Sequence, residues 1–341
     1  MNKEMILNIL KKIEYPGLNR SIVDLKIVED IDLDSKIPTI TLSMQNDEAY
    51  NILKLRIKDM FNKNVEVKRK SLEQKKSINY GNTKNPNNRA PYAKRVIAVT
   101  SGKGGVGKST VSVNLSIALA QKEFKVGLLD ADVYGPNVPR MTQVADEKLR
   151  WNDNNKIVPS ENFGIKIISV GLTTPSSDTP LVWRSSVAVS ALIQFLEDVE
   201  WGELDFLVID MPPGTGDIQL TMAQELPITA GVIVTTPQPV ALDDVSRAIM
   251  MFKDINVPIG GLIENMSFFI APDTKKRYDI FGKDGGKKIA KRYNIPFLGQ
   301  IPLDMQIREF SDNGTPPVAM GNNLQKDYYK NITDNLLKQI L

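Results

Sequence analysis

Between an apolar run, Val-Ile-Ala-Val-Thr at 96–100, and a stretch with helical patterning lies Ser-Gly-Lys-Gly-Gly-Val-Gly-Lys-Ser-Thr at 101–110. Gly102, Gly107, Lys108 and Ser109 fit the spacing G-x-x-x-x-G-K-[ST], in the context that gives it meaning: strand before, helix after. Few sequence features restrict a fold as tightly. The glycines leave out Cβ, so consecutive backbone N–H groups can curl around an anion. The helix expected from about Lys108 adds its positive dipole end. In such a loop Lys108 bridges the β- and γ-phosphates of a nucleotide and Ser109 supplies an oxygen to Mg²⁺. The expected nucleotide cradle is Gly102, Lys103, Gly104, Gly105, Val106, Gly107, Lys108, Ser109 and Thr110.

Composition narrows the remaining chemistry. The 341 residues contain no cysteine and no histidine. That removes thiol nucleophiles, disulfides, thiolate and imidazole metal sites, and every Ser–His or Cys–His catalytic pair. Carboxylate, lysine, arginine, hydroxyl and backbone groups are left, a set suited to phosphate and magnesium. No apolar stretch approaches a membrane span. The first ten residues combine a short apolar run with charge of both signs, unlike an export signal, so the expected location is cytoplasmic.

Charge is unevenly placed. Residues 63–95 hold ten basic side chains and two acidic ones, a local +8, so the chain's +3 leaves −5 elsewhere. Within this stretch 71–91 reads as a linker. It is either a solvated tether or a basic contact for nucleic acid or acidic lipid; without interleaved aromatics, the expectation is against a nucleic-acid partner. Residues 1–70 read as a small α/β domain: a helix to about Ile13, strands at 21–31 and 37–44, a helix at 47–61 and a short strand near 65–67. In 92–341, apolar runs at 96–100, 126–130, 165–170, 206–210, 232–236, 259–264 and 297–301 alternate with helical stretches. This predicts an α/β domain with a doubly wound, mostly parallel sheet, with ligands beyond the carboxyl ends of its strands.

Two of those ends carry acids. Asp130 and Asp132 close the second run, at a spacing that puts both on one face of an extended segment. They either serve Mg²⁺ and an attacking water or are paired surface acids closing a strand. Asp210 ends Phe-Leu-Val-Ile-Asp at 206–210, a strand of the kind that brings an acid to the Mg²⁺ shell. Met-Pro-Pro-Gly-Thr-Gly-Asp at 211–217 follows, stiff at its prolines and free at its glycines. Asp217 reads equally as a partner contact or a helix N-cap.

Lys103, directly after the first glycine, is not needed by an ordinary phosphate loop. With it, the loop resembles the deviant Walker A of the MinD/ParA-type ATPases. The resemblance implies ATP as ligand, an ATP-sandwich homodimer with Lys103 reaching the partner subunit's nucleotide, Asp132 positioning the attacking water, and Asp130 supporting it. Further stretches at 132–137, 208–217, 236–242, 263–267, 280–282 and 296–304 resemble the Mrp branch, iron–sulfur cluster carrier and assembly ATPases. Residues 1–70 resemble the small domain that precedes the ATPase in bacterial Mrp proteins. By position, Asn265 would bond the adenine edge and the backbone near Pro302 would line the base pocket; on chemistry alone Asn265 is equally a buried turn residue.

This sequence departs from the Mrp pattern at one place. Where that branch carries Cys-Pro-x-Cys, residues 269–274 read Phe-Ile-Ala-Pro-Asp-Thr, so Ala271 and Thr274 stand at the cysteine positions. Neither ligates iron–sulfur clusters, which take thiolate or occasionally imidazole. The resemblance implies a Mg²⁺-dependent ATP hydrolase serving cluster transfer to apoproteins with iron–sulfur client or scaffold partners, while the chain lacks cluster ligands of its own. The alternative is a ParA/MinD-like switch that recruits a partner or surface without carrying a cluster. An apolar stripe at Ile332, Leu336, Leu337 and Ile340 is either a membrane-lying tail or a helix packed on the domain. With few basic residues on its other face, packing is the expectation, and no membrane partner.

Overall fold

The computed structural model describes residues 3–14, 16, 21–24, 27–33, 37–42, 47–69, 88–173 and 185–341. The chain divides into two compact units, Met1–Asn79 with Met250–Val257, and Tyr80–Ile249 with Pro258–Leu341. Of the linker expected at 71–91, residues 71–87 lie outside the described residues.

In the first unit, α1 (Lys3–Leu10), β1 (Val28–Asp32), β2 (Thr39–Leu42), α2 (Asp47–Met60) and β3 (Glu66–Arg69) follow in order. β2 is central, antiparallel to β1 and parallel to β3. A parallel pair needs a crossover, which α2 provides. Ile6, Leu10, Ile40, Leu42, Leu53, Ile57 and Val67 form the buried core. The strand expected at 21–31 starts only at Val28. Ser21 Oγ accepts the Asp24 N–H at 3.1 Å, and the Ile27 N–H closes back on the Ile22 carbonyl at 3.0 Å. A local serine turn therefore outcompetes the alternating pattern; Leu25, part of that pattern, lies outside the described residues.

The remaining elements begin with β4 (Ala93–Ser101), α3 (Lys108–Ala120), β5 (Val126–Asp130), α4 (Val138–Met141), the paired β6 (Arg150–Trp151) and β7 (Ile157–Val158), β8 (Ser160–Asn162) and β9 (Ile165–Ser169). Then come α5 (Ser185–Glu197), β10 (Leu204–Asp210), α6 (Asp217–Glu225), β11 (Ala230–Thr235), α7 (Pro239–Asp254) and β12 (Ile259–Glu264). The chain ends with the hairpin of β13 (Phe269–Ile270) and β14 (Arg277–Tyr278), α8 (Gly285–Tyr293), β15 (Phe297–Gln300), α9 (Met305–Asp312), α10 (Pro317–Met320) and α11 (Asn323–Ile340).

Eight strands form one sheet in the order β15-β12-β11-β4-β10-β5-β9-β8. All its pairs are parallel except β8 with β9. The seven apolar runs supply seven of these strands, and the expected doubly wound parallel sheet is what they build. β8, Ser-Glu-Asn at the sheet edge, has no apolar pattern to announce it. From β4 the chain passes through α3 to β5, and β10 later enters between them. β11 then extends the sheet on the other side of β4. The winding reverses at β4, so the carboxyl ends of β4, β10 and β5 meet where such sheets bind ligands. In register, Asp210 lies level with Val99 on one side and Asp130 on the other.

α3 is buried nearly all round, which its small, mostly apolar sequence permits. Its polar residues are satisfied: Ser116 Oγ bonds the Ser112 carbonyl at 2.8 Å, and Asn114 links the Thr110 carbonyl to the Val318 N–H at 2.8 and 2.9 Å. α11 begins nine residues before the first residue of the expected stripe, because Asn322 and Gln325 form a reciprocal capping box. Its face of Tyr329, Ile332, Leu336 and Ile340 is buried against α3 and β15, as packing on the domain requires. No helix among the described residues is long and apolar enough to cross a membrane.

Candidate nucleotide site

The loop after β4 is shaped by its glycines and by what lies against them. Gly107, the residue before α3, has φ 84°, a left-handed conformation that costs a residue with Cβ. A Cβ there would also strike the Asn265 amide. A Cβ on Gly102 would collide with the Asp244 backbone in the second turn of α7. The base of the loop is tied down from two sides. Ser101 Oγ donates to the Lys103 carbonyl at 2.9 Å, and the Gly214 N–H donates to the Ser101 carbonyl at 2.8 Å. The stiff segment after β10 is thereby stitched to the loop.

Lys108, Ser109, Asp132 and Asp210, named from three different stretches of sequence, converge. Lys108 Nζ lies 2.9 Å from Asp210 Oδ2 and 3.2 Å from Asp132 Oδ2, with its side chain only 5% exposed. Asp210 Oδ2 accepts from Ser109 Oγ at 2.6 Å and its Oδ1 from Ser112 Oγ at 2.6 Å. Burial disfavours the Lys108 ammonium, but the Asp210 and Asp132 carboxylates outweigh it and the net shift is upward. Asp132 is held above the usual carboxylate range by burial, despite the lysine. Its Oδ1 accepts the Tyr134 N–H at 3.1 Å.

Asp130 does different work. It is fully buried, and desolvation together with the Asp210 charge pushes its carboxyl up to about 8. Its oxygens accept from Ser169 Oγ at 2.8 Å and the Asp132 N–H at 3.1 Å, joining the ends of β5 and β9. Lys103 is half-buried, and its ammonium makes no ion pair among the described residues. Asp217 is not the cap of α6: Gly216 holds that position, and Asp217 is the first helical residue, exposed.

Asn265 is buried, and its Nδ2 donates to the Val106 carbonyl at 2.8 Å. In this geometry the amide positions the phosphate loop. Pro302 is buried between two backbone bonds, Ser267 N–H to the Ile301 carbonyl at 2.9 Å and Leu303 N–H to the Phe268 carbonyl at 2.7 Å. Two residues with no assigned role also belong here. Ser112 holds Asp210; its signal is its place one helical turn after Lys108. Glu264, fully buried next to Asn265, accepts from Ser267 Oγ at 2.5 Å, Gln300 Nε2 at 2.8 Å and the Gly286 N–H at the start of α8. An acid ending a buried strand is its signal.

Beside the loop lies a cleft of about 170 Å³, bounded by Gly105, Gly107, Lys108, Ser109, Asp132 and Pro213. A ring of glycine N–H groups beside a lysine and a helix start fits a phosphate group. Ser109 and Asp210 offer the hard oxygens that suit Mg²⁺. Among the described residues no group of three or more acids is arranged to hold a metal alone, so a Mg²⁺ here would take its other oxygens from phosphate and water.

A family model described as ParA, the NUBPL iron-transfer P-loop NTPases, matches residues 92–337. The chain belongs to this family. An iron-sulfur cluster carrier protein from Aquifex aeolicus is 41% identical over 333 residues, covering 92% of this chain and 91% of the relative. Another of that description, from Methanococcus maripaludis, is 48% identical over 72% of this chain and 84% of its own. Among solved structures, the nucleotide-binding protein from Archaeoglobus fulgidus in complex with ADP has a TM-score of 0.62 at 34% identity, covering 71% of this chain and 94% of that one. The cell division ATPase MinD of Pyrococcus furiosus, at 21% identity and a TM-score of 0.54 over 72% and 98%, shares the fold. The resemblance to Mrp-type, MinD/ParA-like iron–sulfur carriers is thus shown, and P-loop NTPase membership supports a nucleotide hydrolase.

For this P-loop NTPase the stretch at 271–274 has a plain geometry. Ala271 and Thr274 sit in the turn of the β13–β14 hairpin, where the Ala271 N–H donates to the Lys276 carbonyl at 3.0 Å and the Thr274 N–H to Asp273 Oδ1 at 2.7 Å. Residues 272–278 are all exposed.

Proposed function

We propose that this P-loop NTPase hydrolyses ATP with Mg²⁺ as a homodimer in the cytoplasm and serves iron–sulfur cluster transfer, with the cluster held on thiols of its partners. The observation that carries the reading is the buried constellation of Lys108, Ser109, Asp132 and Asp210 at the winding reversal of the sheet. In the domain arrangement proposed, 1–70 form the small domain, 71–91 the linker and 92–341 the ATPase. The backbone of 102–110 would hold the phosphates, with Ser109 and Asp210 holding Mg²⁺, which offsets phosphate charge when bound. Lys108 exchanges its carboxylate partners for phosphate oxygens, gaining charge-assisted bonds. Asp132, freed of Lys108, accepts a hydrogen bond from the attacking water and orients it. Lys103, without an ion pair among the described residues, is the cation left for the partner subunit's nucleotide, where charge builds during transfer. Asn265 and Pro302 belong to the base side of the site, Asn265 by fixing the loop at Val106.

Cluster transfer is taken from the relatives; Ala271 and Thr274 favour a chain that delivers without ligating. The same two residues favour the second reading, an ATP-driven switch that recruits a partner and carries no cluster. Phosphate release, with and without Mg²⁺, tests the nucleotide half, alongside sedimentation with ATP or ADP. Mg²⁺-dependent release, lost in Lys108→Ala, and an ATP-dependent dimer are expected; wild-type turnover in Lys108→Ala would overturn the assignment. Activation of an apo-client by cluster-loaded scaffold, faster with this chain and ATP, separates transfer from the switch.

A further inference from the structure

A second surface stands apart from the nucleotide cleft in chemistry. Between 273 and 292 the sequence places eight basic residues against three acids, in a chain whose residues outside 63–95 are net negative. Lys275, Lys276, Lys283, Lys287, Lys288, Lys291 and Arg292 are all exposed, and none of these seven forms an ion pair among the described residues. The neighbouring acids are already engaged: Asp279 takes Arg277 at 2.9 Å, and Asp284 accepts from Gln300 at 3.4 Å. α8 buries Ile289 and Ala290 and turns its four cations outward. Its N-terminus is fastened to Glu264, so the cationic face is mounted on the end of β12.

Apolar groups lie on the same stretch of chain. Ile270, Tyr278 and Ile280 are 37%, 45% and 55% exposed, and the Lys276 ammonium lies 5.5 Å from the Tyr278 ring centroid. Exposed aliphatics among unpaired cations match the mixed chemistry of a protein interface, where apolar contacts are rimmed by charge. A phosphate backbone offers the charge and no counterpart for the isoleucines. Opposite potentials also steer encounter, which suits a partner that binds and leaves.

We infer that the β13–β14 hairpin and the outer face of α8 form a docking surface for an acidic protein partner. It rests on the proposed function only in taking that partner to be the one whose thiols hold the cluster. The test uses the full chain and a fluorescent 20-residue peptide of glutamate and leucine, with a glutamine-for-glutamate peptide as control. Charge reversal at four sites, K287E, K288E, K291E and R292E together, leaves buried contacts intact. A control variant carries K148E, K330E and K338E, which are also exposed.

The acidic peptide is expected to bind at least tenfold more weakly to the α8 variant and within twofold of wild type to the control variant. Equal loss in both variants would overturn the inference. So would tighter binding of a 20-nucleotide RNA, or of vesicles with 30% phosphatidylglycerol, lost in the same α8 variant. ATP turnover separates this result from the nucleotide assignment. The α8 variant keeps basal turnover, and Lys108→Ala keeps peptide binding; turnover absent from wild type alongside α8-dependent peptide binding sinks only the nucleotide reading.

Discussion

The nucleotide cleft and the β13–β14 hairpin are built in opposite ways. At the cleft, every carboxylate has a hydroxyl, an N–H or the Lys108 ammonium against it, and the groups are buried. The hairpin turn is exposed, held by a few backbone bonds, and carries alanine and threonine where the Mrp resemblance implies cysteine. Geometry at the cleft is over-determined, so a single substitution there disturbs several partners at once. The hairpin is held by its backbone, so side chains at its tip can change at little cost to folding.

The largest expected effect is from Lys108→Ala. Removing the cation leaves Asp132 and Asp210 facing each other in a buried site, and breaking a buried pair costs about 3–5 kcal/mol. Phosphate release should fall at least a hundredfold, on the order of 3 kcal/mol of transition-state stabilisation, and urea unfolding should shift to lower concentration. Gly107→Ala comes next. Its φ of 84° and the Asn265 amide in the path of a Cβ predict roughly 1–3 kcal/mol of strain. A tenfold or greater loss of nucleotide affinity by calorimetry is expected, while Gly104→Ala, which has open space around it, should lose much less.

Asp130 gives a pH test of the same burial. Its carboxyl is raised from 3.8 to about 8, so the folded state prefers the neutral form. The resulting stability is full below the unfolded value and is lost as pH rises from about 4 through 8. The urea midpoint should fall between pH 5 and 8 in the wild type, and fall less in Asp130→Asn; an unchanged slope would remove Asp130 from the account. The smallest effect on folding belongs to the hairpin. Ala271→Cys with Thr274→Cys should alter stability by no more than about 0.5 kcal/mol, since Thr274 is exposed and Ala271 half-buried in the turn.

Much of this contrast was legible in the sequence. Long apolar runs name buried parallel strands because both faces need covering, and the phosphate loop is recognisable because glycine spacing encodes a backbone shape. Asp210 and Asp132 were found because acids at strand ends face the loop. Other features depended on partners far along the chain. β8 pairs at an edge without apolar residues, and the early turn at 21–24 is set by one serine hydroxyl. Ser112 and Glu264 act through contacts 98 and 22 residues away, which no local pattern specifies. Lys108 was expected on phosphate, and its pairing with two acids follows from three strand ends meeting.

A nucleotide site that works in a chain without cluster ligands of its own makes a direct prediction about cluster binding. Anaerobic reconstitution with iron and sulfide, followed by gel filtration and absorption near 400 nm, tests it most directly on wild type and on Ala271→Cys with Thr274→Cys. No cluster is expected on the wild type and a retained cluster on the double cysteine variant, with ATP turnover equal in both. A stoichiometric cluster on the wild-type chain after filtration would contradict it.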